Sequence, residues 1–343
     1  MKALVLKEYN RFVVEEVPAP AVGADGVLVR VKACGICGSD VHGMDGSTGR
    51  RRPPMIMGHE AAGVIVERGP LAAGWEPGDR VTFDSTIYCG ACWFCRRGDI
   101  NLCDNRRVLG VSCAEYRQDG AFAELVSVPA RILYRLPDSL PFEEAAMVEA
   151  LSIGVHAAGR APVRLGDAGL VVGAGMIGLM AVQALKARGC GLVAAADVAP
   201  ERLAMARDLG ADLTIDTRTA DAAAEMRKLT GGRGADVVVE AVGLAPTVRM
   251  AVESARKGGS VVLIGNVSPN VELPLQTAVT REIAVLGSCA SSGEYPVCLD
   301  LMARGVVKVK PLISAVAPLA DGASWFRRLH DREPGLMKVI LVP

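Results

Sequence analysis

The chain of 343 residues is half hydrophobic and 22% charged, and its 38 basic side chains balance its 38 acidic ones. That composition argues against disorder and against nucleic acid or an anionic membrane as partner, while the length predicts about two domains with room for a large core. Ten cysteines in so long a chain are too few for a secreted disulfide scaffold, so their positions carry the information.

At the N-terminus the apolar run Ala3 to Leu6 stops at Lys7, too short for the hydrophobic region of a signal peptide, which predicts a cytoplasmic protein. Val27 to Lys32 partly alternates apolar with polar residues, and Gly63 to Val66 and Arg80 to Phe83 are short apolar stretches. The first half therefore reads as short β-strands joined by long loops. Two loops stand out: Asp45 to Pro54, with the basic run Arg50, Arg51 and Arg52, and Tyr88 to Asn105, with four cysteines. Neither is expected to form packed secondary structure.

From about Leu151 strand-like runs alternate with helical ones. Leu170 to Val172 precedes Met176 to Arg188, Leu192 to Ala196 precedes Glu201 to Leu209, and Val237 to Val239 precedes Thr247 to Arg256, with Val261 to Ile264 following. This order predicts a parallel sheet covered by helices on both faces. Within Glu201 to Leu209 the inward face is Leu203, Ala206 and Leu209. The uncharged stretch Ala168 to Leu185 is long enough to span a bilayer, but Gly173, Gly175 and Gly178 bunch inside it, which predicts a strand, a turn and a helix in a soluble core. Past about Ser292 the alternation ends, and the tail runs through Leu299 to Met302 and the strand-like Lys338 to Val342.

Gly173-Ala174-Gly175-Met176-Ile177-Gly178 fits G-x-G-x-x-G between a strand and a helix. Gly173 permits the tight turn, Gly175 lets backbone approach a pyrophosphate, and Gly178 brings helix close to strand, leaving the phosphates on the helix N-terminus at Met176 and Ile177. Asp197 ends the next strand-like run, where a carboxylate accepts hydrogen bonds from an adenosine ribose and repels a 2′-phosphate, favouring NAD over NADP. Arg202 is expected against the adenosine end.

Cys89, Cys92, Cys95 and Cys103 form C-x2-C-x2-C-x7-C. Four thiolates so close in sequence can wrap one tetrahedral zinc with no open position, a structural site. An iron–sulfur cluster is the rival, although the x7 gap is not the ferredoxin spacing. A second constellation is scattered: Cys37 in Gly35-Ile36-Cys37-Gly38-Ser39-Asp40-Val41-His42, His59-Glu60 after Gly58, and Glu149. One thiolate, one imidazole and carboxylates would make an open metal site, in which substrate or water takes a remaining position.

Taken together and in this order, GHE at Gly58 to Glu60, the CGSDVH segment, the four-cysteine loop and GAGMIG resemble the zinc-containing medium-chain dehydrogenase/reductase family over essentially the whole chain. The resemblance implies an α/β protein in which a GroES-like β-rich catalytic domain, residues 1–150 and 293–343, is interrupted by a Rossmann domain with a doubly wound parallel sheet that binds NAD, residues 151–292. Glu149, where alcohol dehydrogenases of the family typically carry cysteine, resembles the polyol branch of sorbitol (iditol), xylitol and galactitol-phosphate dehydrogenases. By that resemblance Cys37 and His59 hold the catalytic zinc, with Glu60 and Glu149 as carboxylate ligands, direct or through water. Asp40 orients His59, and Ser39 and His42 form a proton relay through cofactor hydroxyls. Lys338 matches a basic position near the cofactor pyrophosphate, with a surface lysine the other option. Two zinc ions per chain are implied. A carboxylate in place of a thiolate makes a harder site that accommodates water and adjacent substrate hydroxyls more easily.

The expected reaction is NAD-linked, zinc-dependent oxidation of a secondary hydroxyl of a polyol or sugar alcohol to the ketose. The alternatives are another secondary alcohol or a threonine-like amino alcohol, and, from a different class, a catalytically idle NAD-binding or redox-sensing protein that keeps zinc for structure. Arg50 to Arg52 meet a phosphorylated substrate or form a solvated loop. Cys34, Cys113, Cys190, Cys289 and Cys298 have no spacing partner and read as buried small hydrophobes. His156 and His330 receive no role. The resemblance implies a homo-oligomer, tetramer or dimer.

Overall fold

The computed structural model describes residues 1–112 and 117–343, so Cys113 lies outside the described residues. The chain divides into two compact units: Met1–Glu149 with Tyr295–Gly305 and Val309–Pro343, and Ala150–Glu294 with Val306–Lys308. The small excursion 306–308 is not announced by the sequence. It joins the second unit because the Gln183 amide pairs with Lys308 twice, donating to its carbonyl at 3.1 Å and accepting from its N–H at 2.7 Å.

The first unit is built on a seven-stranded sheet. Strand Gly26–Gly35 runs antiparallel to Glu60–Arg68 on one side and to Lys338–Val342 on the other. Alternation of burial along Gly26–Gly35 follows the partial apolar alternation of the sequence, since successive side chains in a strand point to opposite faces. The C-terminal helix Gly322–His330 contributes Phe326 to the core, stacked on Phe12 at 4.4 Å and edge-on to Phe122 at 5.6 Å. Two details depart from the sequence reading. The cysteine loop holds a short helix, Trp93–Arg96, and a 3-10 turn, Ile100–Leu102. Arg51 in the basic loop is buried, whereas Arg50 and Arg52 are exposed.

The second unit is a six-stranded, all-parallel sheet. Its strands in chain order are Ala168–Val172, Leu192–Asp197, Leu213–Asp216, Ala235–Glu240, Ala255–Leu263 and Ala284–Gly287. Their spatial order is 3-2-1-4-5-6, the doubly wound Rossmann arrangement. Leu213–Asp216 and Ala284–Gly287 escaped the sequence reading, the first because it is only four residues long and half-buried, the second because it is an exposed edge. The helix placed over Thr247 to Arg256 is Ala245–Ser254, and Arg256 already lies in the next strand. Leu203, Ala206 and Leu209 are all buried, on and just past the helix Pro200–Asp208. No helix among the described residues is long and apolar enough to cross a membrane. Ala168 to Leu185 is a buried strand, a turn and most of the helix Met176–Ala187.

Candidate functional site

Sheet register assembles the first cluster. Gly35 lies opposite Glu60 in one strand pair and opposite Ile340 in the other, so Cys37, Glu60 and Lys338 emerge at the same end of three adjacent strands. Gly35 also leaves the room Glu60 needs, because a Cβ there would lie 2.3 Å from the Glu60 Oε2. Cys37 caps the four-residue helix Gly38–Val41, and Asp40 within it accepts the Cys37 backbone N–H at 3.3 Å. Ligand atoms of Cys37, His59 and Glu60 all lie within 4.8 Å of one another, His59 and Glu60 being buried. A soft thiolate, an imidazole and a carboxylate at this spacing fit a zinc ion with a position to spare.

Charges around the cluster are paired. Asp40 is fully buried, with Oδ1 2.7 Å from the Arg51 guanidinium and 3.5 Å from His59 Nδ1. Burial works against its ionisation, but the His59 and Arg51 charges outweigh this and hold the Asp40 carboxyl well below the usual range. Burial likewise opposes a charged His59, yet Asp40 and Cys37 outweigh it and raise its pKa well above the usual imidazole value. Lys338, 2% exposed, donates to Glu60 Oε1 at 2.8 Å and to the Ile36 carbonyl at 3.1 Å. The surface option for this lysine therefore fails. Its ammonium is committed to the Glu60 carboxylate and the Ile36 carbonyl.

Glu149 does not join the three converging donors. It sits in the first turn of the helix Val148–Arg160, and its Oε1 accepts the Ser85 hydroxyl at 3.2 Å. Burial pushes its carboxyl up to about 7, helped by Glu60 and Asp84 and opposed by His59 and Lys338. Ser39 and His42 lie one turn apart along the same short helix and its cap, both exposed. Sequence reasoning missed Arg51 and Ser85. Nothing in the sequence separates Arg51 from its two neighbours, whereas Lys338 does carry a signal: a lone lysine opening the apolar run to Val342 must be paired if buried.

The four-cysteine cluster folds locally. Cys92 caps the helix Trp93–Arg96 and accepts the Cys95 N–H, which puts two sulfurs on one side. Cys89 accepts the N–H groups of Ala91 and Cys92 at 3.4 and 3.3 Å, and Cys103 that of Cys89 at 3.2 Å. The Ala91 N–H and its neighbours hold the Cys89 thiol down to about 6, whereas desolvation and the other sulfurs push Cys95 up to about 12. Four thiolates cannot share this space without a cation. The Cys89 and Cys95 sulfurs are 4.0 Å apart, close to the roughly 3.8 Å that tetrahedral zinc–thiolate bonds require.

In the second unit Gly173 has φ +93°, and a Cβ on Gly178 would meet the Gly173 carbonyl oxygen at 1.8 Å, so turn and helix close only with glycine at both places. At Gly175, which caps the helix, a Cβ would meet nothing, leaving open space beside the first-turn N–H groups of half-buried Met176 and Ile177. Asp197 ends its strand and clamps this turn, accepting Ala174 N–H at 2.7 Å and Ala199 N–H at 2.9 Å through different oxygens. Each oxygen keeps a second acceptor site for a ribose hydroxyl. Arg202 stands 3.9 Å from Asp197, half-exposed. Of the cysteines without spacing partners, Cys34, Cys190 and Cys298 are buried as expected, but Cys289 is exposed. His156 pairs with Glu294 at 2.6 Å.

Residues 23–138 match the model of the alcohol dehydrogenase GroES-like domain, and residues 177–304 that of the zinc-binding dehydrogenases. The sorbitol dehydrogenase of Bacillus subtilis (strain 168) is 34% identical over 348 residues, covering 100% of this chain and 97% of that protein. The L-idonate 5-dehydrogenase of Vitis vinifera is 37% identical over 302 residues, 86% of this chain and 81% of that protein. A candidate zinc-binding dehydrogenase of Sinorhizobium meliloti 1021, bound to NADP, has a similar structure with a TM-score of 0.91 at 32% identity, covering 100% of this chain and 99% of that one. The architecture is thus a GroES-like β-rich domain with a Rossmann cofactor domain, and the chain belongs to the zinc-binding alcohol dehydrogenase family and is an oxidoreductase.

Proposed function

We propose that this dehydrogenase oxidises a secondary hydroxyl of a polyol or sugar alcohol reversibly to the ketose. In this reading a catalytic zinc is held by Cys37, His59 and Glu60 in the first unit, Glu149 acts through water, a second zinc is held by the four-cysteine loop, and NAD is held on the second unit. The observation that carries it is the mixed donor set, one thiolate, one imidazole and one carboxylate within 4.8 Å, with a further buried carboxylate where a second thiolate would make the site softer. The names of relatives that act on sorbitol and L-idonate support the substrate class.

When bound, zinc supplies the Lewis acidity that lowers the pKa of a coordinated hydroxyl, and the nicotinamide accepts the hydride. The chain's own groups do the rest. The Ser39 hydroxyl takes the substrate proton as it hands its own on, and His42, one turn on and exposed, accepts a proton from the relay and releases one to solvent. Asp40 holds His59 and the Cys37 backbone in place. Ser85 and Glu149 offer paired hydrogen-bonding partners for a neighbouring substrate hydroxyl. Asp197 clamps the glycine turn and disfavours a 2′-phosphate, and Arg202 lies at the adenosine end.

The reading includes a cytoplasmic setting, which keeps the loop thiols reduced. It also includes a homo-oligomer, tetramer or dimer, supported by the exposed edge strand Ala284–Gly287 and the exposed apolar Leu275 and Val279. Light scattering measures the second. The deciding experiment is a screen of sorbitol, xylitol, galactitol, their phosphates and threonine with NAD and with NADP, zinc being counted on the same preparation. Turnover of a polyol with two zinc ions per chain supports the reading. Turnover of threonine alone, or one zinc and no turnover, overturns it.

A further inference from the structure

Arg51 is the buried member of a run whose other two arginines are exposed. Its Nη2 donates to Asp40 Oδ1 at 2.7 Å and to the Ser39 Oγ at 3.3 Å, and its Nε is buried without a hydrogen-bond partner. A channel has been left for its stem, because a Cβ on Gly43 would lie 2.5 Å from the Arg51 Cγ. An isolated guanidinium carries a large desolvation cost, and an unpaired buried N–H adds to it, so the arrangement calls for an explanation beyond surface solvation.

Asp40 explains it. One of its oxygens accepts the Cys37 backbone N–H, and the other faces both Arg51 and His59 Nδ1. The guanidinium, at 2.7 Å against 3.5 Å for the imidazole, has the stronger claim on that shared oxygen. Arg51 therefore fixes where the carboxylate stands and limits how much negative charge it lends to His59. A guanidinium only donates, so Ser39 must be the acceptor toward Arg51, and its own O–H is left to point away.

Resting on the assignment of Cys37 and His59 as zinc ligands, we propose that Arg51 is a positioning residue of the catalytic metal site: through Asp40 it braces both ligands, and through Ser39 it sets the direction of the proton relay. Arg51 donates its hydrogen bonds to Asp40 and Ser39 and not to the ligand side chains; it acts by holding the groups beside them.

The test compares zinc-loaded parent with Arg51→Met, Arg51→Lys, Asp40→Asn and the Arg51→Met/Asp40→Asn double variant. It measures zinc release to a chelator, the pH profile of kcat, and KM. Expected for Arg51→Met is release of one of the two zinc ions about 10–100-fold faster, the other unchanged, with kcat lowered and its pH profile displaced while the KM for NAD holds. Arg51 reaches both partners through one nitrogen, and a lysine ends about one bond short of it, so Arg51→Lys is expected to fall between parent and Arg51→Met in both zinc release and pH profile. In the Asp40→Asn background the methionine change adds less than about twofold to release, as for groups acting as one unit. Parent-like release and pH profile in Arg51→Met, or full additivity with Asp40→Asn, overturns the proposal. If Arg51→Met fails to fold, Arg51→Lys decides by the same release and pH readouts. His59→Ala separates the two ideas: if it keeps both zinc ions, the ligand assignment itself is wrong; if it loses one while Arg51→Met loses none, only the role of Arg51 falls.

Discussion

The four-cysteine loop and the Cys37–His59–Glu60 cluster are both shaped to take a cation, but they are built in opposite ways. The loop gathers its donors from Cys89 to Cys103, leaves three of the four half-exposed, and holds its sulfurs with nearby backbone N–H groups. The cluster gathers its donors from the cap of a short helix and the start of the strand Glu60–Arg68, buries His59 and Glu60 with Cys37 half-buried, and surrounds them with paired charges: Asp40 with Arg51, and Glu60 with Lys338. A closed site of identical ligands can be made by local chain geometry alone. An open site of unlike ligands needs outside bracing, because each donor must be held while one position stays available.

Breaking the comparison at its catalytic end gives the largest effect. His59→Ala is expected to lower turnover by roughly 10,000-fold, about 5.5 kcal/mol of barrier, and to remove one zinc while the loop keeps its own; turnover and metal content on one sample check this. Next comes Lys338→Met, which leaves Glu60 charged and buried at 1% exposure. Denaturant unfolding of the metal-free protein should show a loss of about 3–5 kcal/mol, and added zinc should recover part of it by replacing the missing positive charge. Cys103→Ser attacks the local site instead. It should lose the other zinc and about 2–4 kcal/mol of stability, the loop becoming sensitive to proteolysis between Tyr88 and Asn105, with turnover far less affected than in the His59 variant.

The smallest effect calibrates the others, since Asp236 and Arg256 pair in the second unit, in neither donor cluster. Burial opposes the Asp236 charge, but Arg256 and the Ala168 N–H more than offset it, so its carboxyl lies below the ordinary 3.8 when folded. A depressed carboxyl stabilises the fold above its unfolded value and loses that contribution as pH falls through the folded value. Asp236→Asn should therefore cost about 1–3 kcal/mol at pH 5 to 8, and its melting temperature should converge on the parent's below about pH 4.

Legibility in the sequence followed the same division. The glycine turn and its flanking strand and helix could be read because phosphate-turn geometry allows few residues at Gly173 and Gly178. The cysteine loop could be read because its donors are neighbours in the chain. Short or exposed strands such as Leu213–Asp216 and Ala284–Gly287 left too weak a pattern, and Arg51 looked like its exposed neighbours. Likewise, Lys338 read equally well as a surface lysine or a cofactor contact until the sheet brought it to Glu60.

Local order and residue type by themselves determined the class of fold, the glycine turn between strand and helix and the candidate ligands, because these depend on spacing along the chain. Only the tertiary structure decided which charges are buried together. The register of Gly26–Gly35 between Glu60–Arg68 and Lys338–Val342 sets Lys338 on Glu60, and the path of the loop past Gly43 carries Arg51 to Asp40. Pairing between residues separated by 278 positions, as for Lys338 and Glu60, costs free energy that is recovered only once the strands have met, so no local pattern records it.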